Sequence, residues 1–176
     1  KIKKYRPLFR VVKKIKLRKF LPSLLPMDLT NINCSHVDIG FLSDMEGDSV
    51  RIERKTDLGP GGLTTNRLIV SCPNKDYVNE YSAVMPEEDI IHLLSKSENK
   101  IKKYQYDLKH DDINVSINRY TLGIITIDID ASSPINSLPE YCGKEVTDDS
   151  QYLEICLSGM REVLKKKRSK VKIKTE

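Results

Sequence analysis

In GIITIDID, residues 123–130, two aspartates alternate with isoleucines. Successive side chains of a strand point to opposite faces, so Asp128 and Asp130 project from the same one. At a same-face spacing of roughly 6–7 Å and an effective dielectric near 20, their repulsion is about 2–3 kcal/mol before screening. Turned inward, that pair requires a compensating cation, either Lys or Arg or a divalent metal held by oxygen ligands. Turned outward, the two acids only solvate the surface, and spacing alone leaves both alternatives open.

Few other residues offer chemistry. The opening stretch IKLRKFLPSLLP, residues 15–26, reads as a strand with Ile15, Leu17 and Lys19 on one face and Lys16, Arg18 and Phe20 on the other. Cys34 and His36 lie two apart and could chelate a metal, but nothing elsewhere completes a site; a half-buried strand start accounts for them as well. His92 falls on an expected helix and His110 in a turn, neither beside a nucleophile. The chain has no P-loop, no G-x-S-x-G, no H-E-x-x-H and no dinucleotide-binding glycine pattern.

The elements that must carry these side chains are short β-rich runs. Strands are expected over 11–20, 36–43, 49–55, 66–72, 77–84, 100–109, 112–119 and 122–131. Turn sequences DMEGD, GPGG, PNKD, KHDD and YTLG separate many of them. Such close spacing predicts antiparallel hairpins, since parallel crossovers need about a dozen residues or more. Two helices are expected. The first, over 86–97, opens with Pro and three acids and carries Ile90, Ile91, Leu93 and Leu94 on one stripe. The second, over 147–166, starts from Thr147 as N-cap and ends in lysines.

With 176 residues, 39% hydrophobic and 31% charged, the chain suits one soluble domain able to bury a core. It contains no membrane-length apolar run and no signal-peptide pattern at its start. Cys34, Cys72, Cys142 and Cys156 form no C-x-x-C pair, which predicts separate reduced thiols in an intracellular setting, cytoplasmic or nuclear. Charge is segregated. Residues 1–20 hold ten Lys or Arg and no acid, and residues 161–176 hold eight basic and two acidic residues, so the middle of a +5 chain carries −11. Basic ends of this kind attract nucleic acid or acidic surfaces without specificity, or simply aid solubility.

Several segments resemble, in order over about residues 11–160, the CYTH domains or triphosphate tunnel metalloenzymes. PEYCGKEVTDDSQYLEICLS, residues 139–158, is similar to that family's closing segment, with G-x-E-V-T, acids and a helix with a Tyr. GIITIDIDASS resembles its preceding acidic strand, with aspartates for glutamates. GFLSDMEGDSVRI (40–52) resembles its hairpin into V-R-V-R, NEYSAVMPEEDIIHLL (79–94) its E-Y strand, Pro and helix, and KIKKYQYDL (100–108) a strand ending in K-x-R-Y. The resemblance implies a mainly β (α+β) fold, an eight-stranded antiparallel β-barrel open as a tunnel, with two flanking helices. The barrel would span residues 11–164, between a basic extension over 1–10 and a basic tail over 165–176.

By the same resemblance, Lys19, Arg51 and Lys103 would grip phosphate, Asp128, Asp130 and Glu145 would hold Mg²⁺ or Mn²⁺, and Glu80 would be a further tunnel acid. The implied activity is hydrolysis of inorganic, nucleotide or RNA 5′ triphosphates. The departures bear on that activity. The family's first strand carries E-x-E-x-K, and here Lys19 falls on the lysine while Ile15 and Leu17 stand at both glutamates. Glu53 replaces the second arginine of V-R-V-R, Ser71 a lysine, Val78 an arginine, Ile101 a lysine and Ser116 an aspartate.

Three cations against four or five carboxylates suit a tetra-anionic triphosphate poorly. The expectation is a catalytically degenerate tunnel domain that binds a phosphorylated ligand, such as polyphosphate, nucleotide or an RNA 5′ end, or a protein partner. The alternatives are an active divalent-metal-dependent triphosphatase using Asp128, Asp130 and Glu145, and an unrelated β-barrel or sandwich binding module.

Overall fold

Alternation of β-branched and polar residues builds one large antiparallel sheet. A computed structural model describes residues 10–25, 28–45, 48–132 and 134–159. Its strands are β1 (Arg10–Ile15), β2 (Leu17–Pro22), β3 (Asn33–Met45), β4 (Asp48–Asp57) and β5 (Thr64–Pro73), then β6 (Val78–Val84), β7 (Asn99–His110), β8 (Ile113–Tyr120), β9 (Ile125–Asp130) and β10 (Cys142–Glu145). Helix α1 (Glu87–Lys96) separates β6 from β7, and α2 (Glu154–Leu157) follows β10. All neighbouring strands run antiparallel, in the order β1-β6-β5-β4-β3-β7-β8-β9-β2-β10.

This order corrects the expected closed eight-stranded barrel. The sheet has ten strands, and β1 and β10 stand at its two ends without pairing. The expected strand 11–20 divides at Lys16: β1 pairs with β6, whereas β2 pairs with β9. One continuous segment therefore flanks both ends of the seven strands from β6 to β9 in that order, and the hydrogen-bond ladder is interrupted where it changes partner. The short β10, absent from the sequence expectation, adds to the free side of β2. Its four residues, CGKE, carry no β-branched pattern to signal a strand.

Two apolar clusters stabilise the sheet. Phe20, Val115, Ile117, Ile127 and Ile129 are buried on one face, where Leu25, Leu29, Ile135 and Tyr141 from the loops after β2 and β9 pack against them. Full burial of each such side chain contributes about 1.5–3 kcal/mol. Val37, Ile39, Phe41, Ile101, Tyr120 and Ile155 form the second cluster, which Leu153, Cys156 and Leu157 join.

Helix α1 follows the sequence signals. Glu87, Glu88 and Asp89 occupy its first turn, and Ile90 is its buried residue. At its end the Ser97 hydroxyl donates to the carbonyls of Phe41 and Asn99, 3.3 and 3.1 Å away. Gly40 permits that approach, because a Cβ there would lie 3.0 Å from the Ser97 side chain.

The second expected helix, 147–166, is replaced by a 3₁₀ turn (Ser150–Tyr152) and the four-residue α2. Thr147 does not cap it. Its hydroxyl accepts from the Lys19 backbone N–H at 3.0 Å and donates to Glu145 at 2.8 Å, while Asp149 caps the 3₁₀ turn. The expected basic extension and tail fall largely outside the described residues, as does the helix beyond residue 159. Among the described residues α1 is the helix that flanks the sheet, whereas α2 turns into the space that the sheet encloses.

Candidate functional site

The curled sheet surrounds a cavity of about 660 Å³ to which every strand from β1 to β9 contributes, together with α2. Strand alternation decides its lining. On β2, Leu17 and Lys19 face inward with Ile15 of β1, while Phe20 joins the cluster on the other face. Four cations line the cavity, Lys19, Arg51, Arg67 and Lys103, with five carboxylates, Glu53, Glu80, Asp128, Asp130 and Glu154. Its formal charge is therefore −1 rather than strongly positive.

Each cation rests on a carboxylate. Lys19 Nζ lies 2.5 Å from Asp128 Oδ1, and the Asn118 amide donates to the other oxygen at 2.8 Å. Arg51 donates to Ser71 at 2.5 Å and to Glu80 at 2.7 Å. Arg67 pairs with Glu53 on the adjacent strand. Lys103 Nζ lies 2.5 Å from Glu154 Oε1, which also accepts from the Tyr120 hydroxyl at 3.1 Å.

These pairs set the ionisation of the site. Burial alone would raise the Glu154 pKa, but the charges of Lys103, Arg51 and Lys19 and the hydrogen bond from Lys103 hold it at about 2. Burial acts to lower the Lys103 pKa, and Glu154 outweighs it, leaving the ammonium above its usual value. Arg51 is likewise buried and held charged by Glu80, Glu154 and Glu53. Burial, reinforced by Glu154, pushes the Tyr120 phenol upward, so it remains a neutral donor.

The structure brings Lys19, Arg51, Lys103, Glu80, Asp128 and Asp130 into one cavity. Glu145 stands apart. It does not line the cavity, but receives Arg18 Nε at 2.9 Å and NH2 at 2.6 Å, with 39% of its side chain exposed. That fork, with burial and the Thr147 bond as smaller influences, depresses its pKa to about 2. The physical reason is parity: Arg18 faces away from the cavity, opposite to Lys19, and its partner on β10 shares that side.

A divalent metal does not fit this donor set. Ile15 and Leu17 offer no oxygen, an ammonium and an amide cover Asp128, and Asp130 accepts from the backbone N–H (3.0 Å) and hydroxyl of Ser132. Among the described residues no group of three or more His, Cys, Asp or Glu side chains is placed to hold a metal ion. The Cys34 and His36 pair is no exception. His36 stacks at a tilt on Tyr104, and its Nδ1 lies 3.6 Å from Asp38.

Two important lining residues were not legible as such. Arg67 was hidden in a strand that otherwise reads as apolar, although its parity with Ser71 places both inward. Glu154 lay within the expected long helix, where a lone acid in YLEICL reads as a solvated position; only the break after the 3₁₀ turn aims it inward.

The crystal structure of NE1496 resembles this fold with a TM-score of 0.59 at 17% identity, covering 82% of this chain and 97% of that one. A second crystal structure of NE1496, an inorganic triphosphatase, gives a TM-score of 0.55 at 17% identity over 81% of this chain and 96% of that one. This chain shares the fold of NE1496. PH1819 from Pyrococcus horikoshii OT3 is similar at a TM-score of 0.50 and 13% identity, over 70% of this chain and 80% of that one. At these identities the likeness is one of fold. No family model and no curated protein matches the sequence.

Among the described residues no helix is long and apolar enough to cross a membrane. All four cysteines are free.

Proposed function

We propose that this chain is a catalytically degenerate tunnel domain that binds a phosphorylated ligand and does not turn it over. The observation that carries this reading is the Lys19–Asp128 pair. An ammonium lies on the carboxylate that the family resemblance assigns to metal, 2.5 Å from its oxygen. Ligand binding is supported by the convergence of Lys19, Arg51, Arg67 and Lys103 on one cavity. Arg51 Nε and Arg67 Nε are buried without a hydrogen-bond partner, so each guanidinium has a donor to spare. The cavity's slight negative charge favours ligands with few charges over a full triphosphate.

The test is phosphate release from inorganic tripolyphosphate, nucleoside triphosphates and 5′-triphosphorylated RNA with Mg²⁺ or Mn²⁺, beside calorimetric binding of orthophosphate, pyrophosphate and tripolyphosphate. Binding without release is expected. Turnover that disappears in Asp130→Ala would establish the second reading, a metal-dependent triphosphatase. The fold shared with NE1496 favours that alternative, with Asp128, Asp130 and Glu145 as its metal carboxylates. Engagement of Glu145 by Arg18 outside the cavity weighs against it.

A further inference from the structure

Glu154 occupies an unusual place among the lining acids. Asp128, Glu80 and Glu53 each belong to a sheet strand and pair with a cation on another strand of the sheet. Glu154 instead enters from α2, a four-residue helix. Its carboxylate acts on Lys103, Arg51 and Lys19 together, the three cations assigned to phosphate. It takes a hydrogen bond from Lys103 and another from Tyr120. A phosphoryl group offers Lys103 the same chemistry, anionic oxygens that accept from an ammonium. A phosphoryl oxygen bonded to Lys103 would lie beside the Glu154 carboxylate, and the repulsion between the two anions makes them compete for that end of the cavity.

We infer that Glu154 is a built-in anionic plug: α2 fills the Lys103–Tyr120 end of the cavity with a carboxylate, and a phosphorylated ligand gains that end by displacing it. This inference rests on the anion-binding reading proposed above and concerns the regulation of the same site.

Local structure makes displacement feasible. No side chain caps the start of α2, and after its C-cap Ser158 stands Gly159 with φ of +79°, a left-handed conformation that does not continue a helix. Its internal bonds are short-range, Leu157 N–H to Leu153 O and Ser158 N–H to Glu154 O, each 2.9 Å. Leu153 and Ile155 bury against the cluster around Phe41 and Tyr120, which gives the closed arrangement its stability. Segments of this size open locally without global unfolding. Withdrawal of Glu154 leaves four cations facing four carboxylates, so the emptied cavity is less repulsive to an anion.

The test compares full-length wild type, Glu154→Gln and Tyr120→Phe by calorimetry with inorganic tripolyphosphate in the absence of metal. Glu154→Gln keeps a carbonyl acceptor for Lys103 but removes the competing charge, and is expected to bind about tenfold tighter. Tyr120→Phe removes one of the two bonds holding the plug and is expected to bind about threefold tighter. In wild type, saturation with tripolyphosphate should speed hydrogen exchange at the Leu157 and Ser158 amides. If Glu154→Gln fails to fold, Tyr120→Phe and the exchange measurement decide. Equal binding by wild type and variants, with both amides still protected at saturation, overturns the plug alone. Absence of binding to all three folded proteins overturns the anion-binding reading and the plug with it.

Discussion

Lys19 and Asp128 are direct cross-strand partners on β2 and β9, and their charged atoms meet 2.5 Å apart with 14% of each side chain exposed. Removing one member of so enclosed a pair leaves the other desolvated. Asp128→Ala also strands the Asn118 amide, which donates to the same carboxylate. That variant should lose about 3 kcal/mol of stability in urea unfolding. A Lys19→Met/Asp128→Leu double variant should lose much less, because neither charge is then unpaired. If Asp128→Ala unfolds within about 0.5 kcal/mol of wild type, the pair has no structural role.

Ile15 and Leu17 stand on the cavity wall at the two positions where the family resemblance calls for glutamates. Their partners on the neighbouring strands are Val78 and Asp130. Ile15→Glu/Leu17→Glu therefore adds two carboxylates beside Asp130 and creates an oxygen-rich cluster suited to a hard cation. The double variant should gain a Mn²⁺-dependent rise in melting temperature that wild type lacks. No shift at millimolar Mn²⁺ in a folded variant would show that the missing acids are not what keeps metal out.

The positions of most strands, the shared face of Asp128 and Asp130, and the shared face of Lys19 with Ile15 and Leu17 all follow from period-two alternation, a local property. The division at Lys16 does not, because it depends on β1 finding β6 and β2 finding β9, a choice of distant partners. Glu145 stands outside the cavity for a related reason. Its family-like motif places it near a metal, whereas Arg18 across the β2–β10 pair holds it on the other face. The second helix does not start at Thr147, a good N-cap by type, because that residue is committed to Lys19 and Glu145 instead. In each case a tertiary partner overrode a correct local preference.

Acid should weaken the fold in part through Glu154. Its folded pKa of about 2 lies below the ordinary glutamate value of 4.5, so the stabilisation it brings is complete above about pH 4.5 and disappears as pH falls toward 2. The shift corresponds to roughly 3 kcal/mol, at about 1.4 kcal/mol per unit. Urea midpoints measured between pH 7 and pH 3 should fall steeply for wild type and clearly less for Glu154→Gln. Glu145 is depressed to a similar value but is largely exposed, so Glu145→Gln should flatten the acid limb far less. Parallel curves for wild type and Glu154→Gln would contradict the ion pair with Lys103.

Gly143 holds the last strand against β2. A Cβ at this position would lie 2.9 Å from the Leu21 carbonyl oxygen and 3.0 Å from the Ser23 nitrogen, both backbone atoms that cannot turn aside. Around it, Ser23 N–H donates to Tyr141 O at 2.9 Å, and Val146 N–H donates to Lys19 O at 2.7 Å. Gly143→Ala must separate the strands or bend β10, and overpacking of this kind costs about 1–3 kcal/mol. Separation also loosens the Arg18–Glu145 fork and uncovers Cys142, a half-buried free thiol whose pKa burial holds up. The variant should therefore unfold at lower urea and show faster alkylation of Cys142, with Lys19–Asp128 on the opposite edge of β2 retained. Unchanged stability and unchanged Cys142 labelling would mean that β10 accommodates a side chain, and that its register on β2 is looser than the close backbone approach implies.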